Sequence, residues 1–285
     1  MGKTLELAKR QGLVKSRVIT NCLNQQRTSL KSNQKFTHFM VIDFESTCWE
    51  KRPGPPQEII EFPAVILDVR TGEICSNVFH HYVQPTEEPY LSDFCINLTG
   101  IKQDQVENAA PLGSTLLLFN SWLRKNYGNF EFNTSKGNNI FSGIPDPGFI
   151  ISSILLTLNV LTHYGFILGD KNCAVVTWTD WDMNVCLQNE CKRKNLIYPP
   201  SLKAWVDLKL VYQKFYDRKP KGLNGALQEM GLAFEGREHS GLCDAKNTAK
   251  LVAKMIKDGC TLGLTKSKSD FKMEPNLLFN SDFVR

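Results

Sequence analysis

The sequence predicts a mixed-sheet α/β domain, and three observations carry that prediction. Apolar runs of strand type come first, at 39–42, 58–67 and 78–83. After them, strand-type and helix-type segments alternate to about residue 256, the order expected of a sheet with helices packed on it. The chain has 285 residues, 42% hydrophobic and 22% charged, which is ordinary globular usage and enough to bury a sizeable core.

Each element has a local reason. Phe39-Met40-Val41-Ile42 is a short, fully apolar run that stops at the acidic stretch Asp43-Phe44-Glu45-Ser46-Thr47. Residues 51–56 hold Pro and Gly and read as a loop, and EIIEFPAVIL at 58–67 reads as a second buried strand. Thr71-Gly72 makes a turn before a third strand at 78–83, paired in hairpin fashion. Residues 92–106 read as helical turns around Leu98-Thr99-Gly100-Ile101, and 112–125 have the spacing of an amphipathic helix. Residues 174–178 form a strand leading through Trp181-Asp182 into a helix to 194. Trp205-Val206-Asp207-Leu208 is a short strand or turn, and 223–230 and 245–256 carry helical spacing.

Charge is unevenly placed. Residues 1–35 hold eight Lys/Arg against Glu6 alone, a net +7, while the remaining 250 residues hold 26 basic and 28 acidic groups, a net −2. The basicity therefore belongs to a flexible leader of the kind that suits nucleic acid or another anionic surface. Nine cysteines without one C-x-x-C pair argue against a disulfide framework or zinc ribbon and for a reducing compartment. With no signal-type apolar core, and with Glu6 where a myristoylation pattern wants Ser or Thr, the expected location is cytoplasm, nucleus or both. The organisation expected is a leader at 1–35, a domain at 36–262 and a disordered tail at 263–285.

Residues 126–173 fit this plan badly. They hold five charges in 48 residues and include FIISSILLTLNVLTHYGFIL at 149–168, without Asp, Glu, Lys or Arg. Its length would suit a membrane span. Two Ser, two Thr, an Asn and a His lie within it, it has no basic flank, and it separates residues that must meet in one site. We therefore expect an atypical apolar insertion and no membrane partner.

Four carboxylates and one histidine stand out by context. Asp43 and Glu45, at i and i+2 after a strand, point to the same face and can reach one ion. Asp182 opens a helix straight after a buried strand. His239 and Asp244 flank Ser-Gly-Leu-Cys, and Asp244 stands at the start of a helix, where an ordinary N-cap role would also explain it. Carboxylates gathered at strand and helix ends repel one another unless cations sit between them. Oxygen donors without Cys or several His point to Mg²⁺, with Mn²⁺ able to substitute, and two such ions suit in-line phosphoryl displacement. A histidine, which titrates near neutral pH, suits proton removal from an attacking water.

Asp43-Phe44-Glu45 in strand context, Trp181-Asp182-Met183 before a helix, and His239 five residues before Asp244 together resemble the DEDDh class of 3′→5′ exonucleases. Within it, Ile42 to Trp49, Gln57-Glu58-Ile59-Ile60-Glu61-Phe62-Pro63, Leu98-Thr99-Gly100-Ile101, Lys221-Gly222-Leu223 and Gly236 to Leu242 resemble the enhancer-of-RNAi exoribonuclease family. The basic leader and Cys191-Lys192-Arg193-Lys194 narrow the resemblance to one branch of that family. It covers about 36–125 and 174–262. It implies an RNase H-like fold and a metal-dependent 3′→5′ exonuclease acting on single-stranded or 3′-overhanging nucleic acid, RNA favoured, releasing nucleoside 5′-monophosphates. By the same resemblance Asp43, Glu45, Asp182 and Asp244 hold two Mg²⁺ ions, and Glu45 and His239 are catalytic, His239 as general base. Phe44, Glu45, Ile101 and His239 contact the terminal nucleotide, the first two through backbone groups. Trp181 is expected to pack rather than stack, Asp180 to be an acidic neighbour without a site role, and Glu61 to be an edge group and no ligand. The alternative is a non-catalytic nucleic-acid-binding protein disabled by the 126–173 insertion.

Overall fold

The first strand expectations are met nearly to the residue. In the computed structural model, which describes residues 34–51, 54–128, 130–132 and 171–268, strand β1 spans His38–Ile42 and every one of its residues is buried. Strand β2 is the short Glu45–Ser46. Strand β3, Ile59–Asp68, is buried along nine of its ten residues, and the two-residue β4 (Glu73–Ile74) and then β5 (Phe79–Gln84) pair back onto it. The 92–106 region divides into α1 (Asp93–Thr99) and α2 (Gln103–Glu107), with β6 at Ala110–Pro111. Gly100 ends α1 at φ +76°, a left-handed position that a residue without Cβ adopts at least cost.

Helix α3 spans Leu112–Tyr127, β7 Phe130–Phe132 and β8 Lys171–Thr177. A π-helical turn, Asp182–Leu187, runs into α4 at Gln188–Arg193. Strand β9 (Ala204–Asp207), α5 (Leu208–Tyr216), α6 (Gly222–Glu229), α7 (Gly241–Lys257) and β10 (Lys266–Ser267) complete the described chain. The sheet runs β10-β9-β8-β1-β3-β5-β6. Strand β1 is parallel to β8 and antiparallel to β3, and β8 is parallel to β9, so the sheet is mixed as expected.

Alternation along β1 divides the core. Met40 and Ile42 face one side, with Leu116, Phe119 and Leu123 of α3 and Met183, Leu187 and Cys191 of the π turn and α4. Phe39 and Val41 face the other, with Ala245, Ala249, Val252 and Met255 of α7 and Leu223 and Leu227 of α6. The sheet is thus flanked by helices on both faces, and each fully buried aliphatic or aromatic side chain contributes about 1.5–3 kcal/mol.

Three boundaries differ from expectation. The ends of 126–173 belong to the fold: α3 continues to Tyr127, and β7 pairs with the start of β8, Phe130 opposite Lys171 and Phe132 opposite Cys173. The rest of that segment, with the 149–168 run, lies outside the described residues. Ordered chain also extends past 262, because Lys266 and Ser267 pair with Trp205 and Ala204, a two-residue edge too short to show a period in sequence. Helix α7 starts at Gly241 with Ser240 as its N-cap, so Asp244 is a residue of its first turn and not the cap. Among the described residues, no helix is long and apolar enough to cross a membrane.

Candidate active site

Parallel neighbours in a sheet end at the same edge, which is where crevices form in open α/β sheets. β1 delivers Asp43 to that edge and β8 delivers Asp182. The extended chain after β1 turns Glu45 to the same side as Asp43, and α7 approaches from the opposite wall with Asp244. Carboxylate oxygens of Asp43, Glu45 and Asp244 all lie within 4.8 Å of one another. Asp182 stands beside this trio and is bound to it through the backbone: the Phe44 N–H donates to Asp182 Oδ1 at 2.9 Å.

These acids line one cleft of about 540 Å³, with His239, Trp181, Lys221, Asn224, Phe234 and Glu238 among the other walls. The site residues expected from the sequence therefore converge, with one exception in kind. Ile101 does not line the cleft: it is buried with Ile60, Leu91, Cys95 and Val106 in a satellite cluster, its N–H bound to Thr99 Oγ1. Phe44 contributes backbone only, because its ring is buried edge-on against Phe62 at 4.7 Å and its N–H is taken by Asp182.

Close approach of α7 to the strand explains how Asp244 reaches the trio. A Cβ on Gly241 would lie 2.5 Å from the Asp43 carbonyl oxygen, so only glycine admits the helix this near. The buried Glu61 carboxylate then accepts the N–H groups of Gly241 at 2.9 Å and Leu242 at 3.2 Å, and it is paired with His80 at 2.8 Å. Two free donors of the helix N-terminus are satisfied by a charge that also favours the dipole. Glu61 is thus an anchor, as its reading as a neighbour without ligand duty requires.

The electrostatics follow from crowding in a poorly hydrated place. Burial first, then the Asp182, Asp244 and Glu45 charges, push the Asp43 carboxyl well above its ordinary range. Burial and then Asp244 push Glu45 up to about 9. Asp182 rises to about 7 through burial, although the Phe44 N–H opposes this. Asp244 also rises to about 7 through burial, against a hydrogen bond from the His239 N–H. As protein alone, the four acids cannot all stay ionised at neutral pH. The donor set is carboxylate oxygen without a thiolate, which fits a hard divalent cation.

Neighbouring residues fall into supporting places. Trp181 packs against the α3-side core. Asp180 is engaged elsewhere, accepting from Asn184 Nδ2 at 2.9 Å and Trp205 Nε1 at 3.2 Å. Glu58, fully buried, accepts from the N–H groups of Thr86, Glu87 and Glu88 and from Lys194 Nζ at 2.5 Å. Lys194 also meets the fully buried Glu190, whose other oxygen accepts the Ile59 N–H at 2.7 Å. This network fixes the helix that carries Asp182 to the start of β3. Lys221, part of the Lys221-Gly222-Leu223 motif but given no role there, lines the cleft, as do Asn224 and Phe234, which were not singled out in sequence because a lone Asn or Phe has no spacing signal.

Comparison with known proteins agrees with this geometry. The sequence profile of the exonuclease family RNase_T matches residues 40–129 and 151–252. "ERI1 exoribonuclease 2" of Xenopus laevis is 47% identical over 264 residues, covering 93% of this chain. The chain spans only 35% of that relative's length. "3'-5' exonuclease Snipper" of Drosophila melanogaster is 40% identical over 243 residues, 84% of this chain and 76% of the relative. The crystal structure of the nuclease domain of 3'hExo, a DEDDh family member bound to rAMP, is 31% identical and superposes with a TM-score of 0.64. That match takes in 83% of this chain and all of the 3'hExo domain. Mixed sheet, clustered acids and a facing histidine, together with these likenesses, place the chain in the exonuclease (RNase_T) family, with the RNase H-like fold of its DEDDh members.

Proposed function

We propose that this chain is a metal-dependent 3′→5′ exonuclease that hydrolyses the terminal phosphodiester of single-stranded or 3′-overhanging RNA to release nucleoside 5′-monophosphates. The observation that carries the reading is the trio Asp43, Glu45 and Asp244, with Asp182 beside it and His239 on the same cleft wall. Preference for RNA rests on the ribonucleotide in the related nuclease domain.

Asp43, Glu45, Asp182 and Asp244 would hold two Mg²⁺ ions, Mn²⁺ substituting. When bound, such ions supply charge for the attacking and leaving oxygens of an in-line displacement. Glu45, on the same face as Asp43, orients the attacking water. The His239 imidazole accepts a proton from that water as its oxygen bonds to phosphorus and the bond to the 3′-oxygen of the preceding nucleotide breaks. The Phe44–Glu45 backbone bounds the floor for the last nucleoside. Phe234 and Leu223 give that wall an apolar surface.

The test is a 5′-labelled single-stranded RNA, with DNA of the same sequence alongside, incubated with Mg²⁺, with EDTA, and with Asp43→Ala protein. A ladder shortening from the 3′ end, abolished by EDTA and by the substitution, is expected, with RNA cut faster than DNA. Folded protein that leaves the RNA at full length, or Asp43→Ala protein with unchanged turnover, overturns the reading.

A further inference from the structure

The loop that presents His239 is held at three points. Its neighbour Arg237 crosses to the end of α1, donating from Nη2 to the Asn97 carbonyl at 2.7 Å and the Leu98 carbonyl at 3.4 Å. Helix-terminal carbonyls lack intrahelical donors, and a cation complements the dipole there. The guanidinium lies against Gly100: a Cβ at that position would meet Cζ at 2.6 Å, Nη1 at 2.7 Å and Nε at 2.9 Å. On the other side, Glu238 accepts from Asn224 Nδ2 at 2.5 Å, a residue of α6. Between these anchors His239 adopts φ +62°, a left-handed conformation that a side-chain-bearing residue keeps only where its surroundings impose it. The Ser240 N–H closes the turn onto the Arg237 carbonyl at 3.3 Å.

We propose that Arg237 is the positioning residue for His239, setting the imidazole in the cleft by clamping its loop to the C-terminal end of α1. The proposal rests on the exonuclease reading above, in which His239 takes the proton. It joins two parts of the chain 140 residues apart: Gly100 leaves the space that the guanidinium occupies, and the flat guanidinium lies on that glycine while its Nη2 reaches both carbonyls. Lysine can donate to the same carbonyls from Nζ but has no planar group to lie flat on Gly100.

The experiment is a two-residue cycle on the full chain with labelled RNA. Arg237→Met should lower kcat about 10- to 100-fold with KM within about threefold, since displacement of a catalytic group by an ångström costs on that scale. Arg237→Lys should recover part of the loss. His239→Asn removes the base while tolerating the left-handed backbone, and Arg237→Met added to it should cause little further loss. Alongside, the His239 imidazole Cε1–H resonance should broaden or move in Arg237→Met, and Mg²⁺-dependent thermal stabilisation should stay within a few degrees of wild type. Multiplying losses in the double variant, a raised KM at constant kcat, or an unmoved imidazole resonance each overturn the proposal. Full turnover by His239→Asn would instead remove the general-base reading itself, and the proposal with it.

Discussion

Replacing Asp244 by Asn should make the metal-free protein more stable, although it removes a residue of the site. Carboxylate oxygens within 4.8 Å of one another repel by at least about 3 kcal/mol per ionised pair at an effective dielectric of 20. Burial first, and then the charges of Glu238, Glu61 and Asp182, lead the folded protein to hold a proton here, and Asp244 rises from 3.8 to about 7. A raised folded-state value means that stability is fully present below pH 4 and is lost as pH climbs to about 7. At roughly 1.4 kcal/mol per unit the loss at pH 8 has an upper bound of about 4 kcal/mol, and residual solvent access brings the expectation to about 2–3. Asn keeps an oxygen to accept the His239 N–H, so the hydrogen bond is not the variable. In EDTA at pH 8, Asp244→Asn should melt roughly 5–10 °C above wild type, and the two curves should meet near pH 4. Millimolar Mg²⁺ or Mn²⁺ should then raise wild type more than the variant, reversing or closing the gap. Equal melting of the two proteins in EDTA at pH 8, or a gap that grows on acidification, would refute the account of the acids as a repelling cluster.

Lys194→Met should cost about 3–5 kcal/mol in urea denaturation at pH 7, because it strands the fully buried Glu58 and Glu190 without their cation. The cost should shrink toward pH 5, where the stranded carboxyls can protonate; a cost under 1 kcal/mol would show that the network is not structural. Gly241→Ala should abolish metal-dependent stabilisation and turnover together, since its methyl group meets the Asp43 backbone oxygen, whereas Gly263→Ala, whose methyl meets nothing within 4 Å, serves as a silent control in the same thermal assay. Glu61→Ala should lower stability by about 2–3 kcal/mol in urea by leaving the Gly241 and Leu242 donors unpaired in a buried place, and a loss within 0.5 kcal/mol would show that water replaces the carboxylate there.

What the sequence made legible was what local pattern controls. The apolar runs at 39–42, 58–67 and 174–178 became β1, β3 and β8 because strands buried on both faces read as continuous hydrophobic segments. Asp43 and Glu45 were legible for a similar reason, since period-2 geometry assigns them a common face whatever surrounds them. What stayed hidden depends on partners far along the chain. The start of α7 lies three residues before Asp244 because its first donors go to Glu61, 180 residues away, and no local side chain marks the cap. Glu58 stands in the sequence only as a member of the 57–63 motif, yet three backbone N–H groups and Lys194 hold it in the core. Ile101, placed at the nucleotide by resemblance, has its side chain in a satellite core cluster and does not line the cleft.

The same topology explains why acids without a cationic or backbone partner for each are gathered at one spot, unlike the buried Glu58, Glu61 and Glu190, which are paired. Three parallel strands, β1, β8 and β9, end at one edge of the sheet, and each hands over an aspartate there: Asp43, Asp182 and Asp207. Asp207 shows what happens to such a residue when a helix follows directly. Its side chain accepts the Leu210 N–H at 3.0 Å and caps α5. Asp182 meets a different fate because the helix after it winds as a π turn and leaves its carboxylate to the Phe44 N–H. Asp43 is followed by extended chain, with no helix N-terminus to cap, so its charge stays uncompensated beside Glu45 until α7 adds Asp244 and makes the imbalance worse. A fold that needed only stability would place an amide or a cation at one of these points. Four carboxylates remain instead, with a single lysine, Lys221, among the described residues that line their cleft, and His80 is turned onto Glu61. The missing positive charge is thereby left to something outside the chain, and a divalent cation that also binds phosphate is the chemistry that answers it.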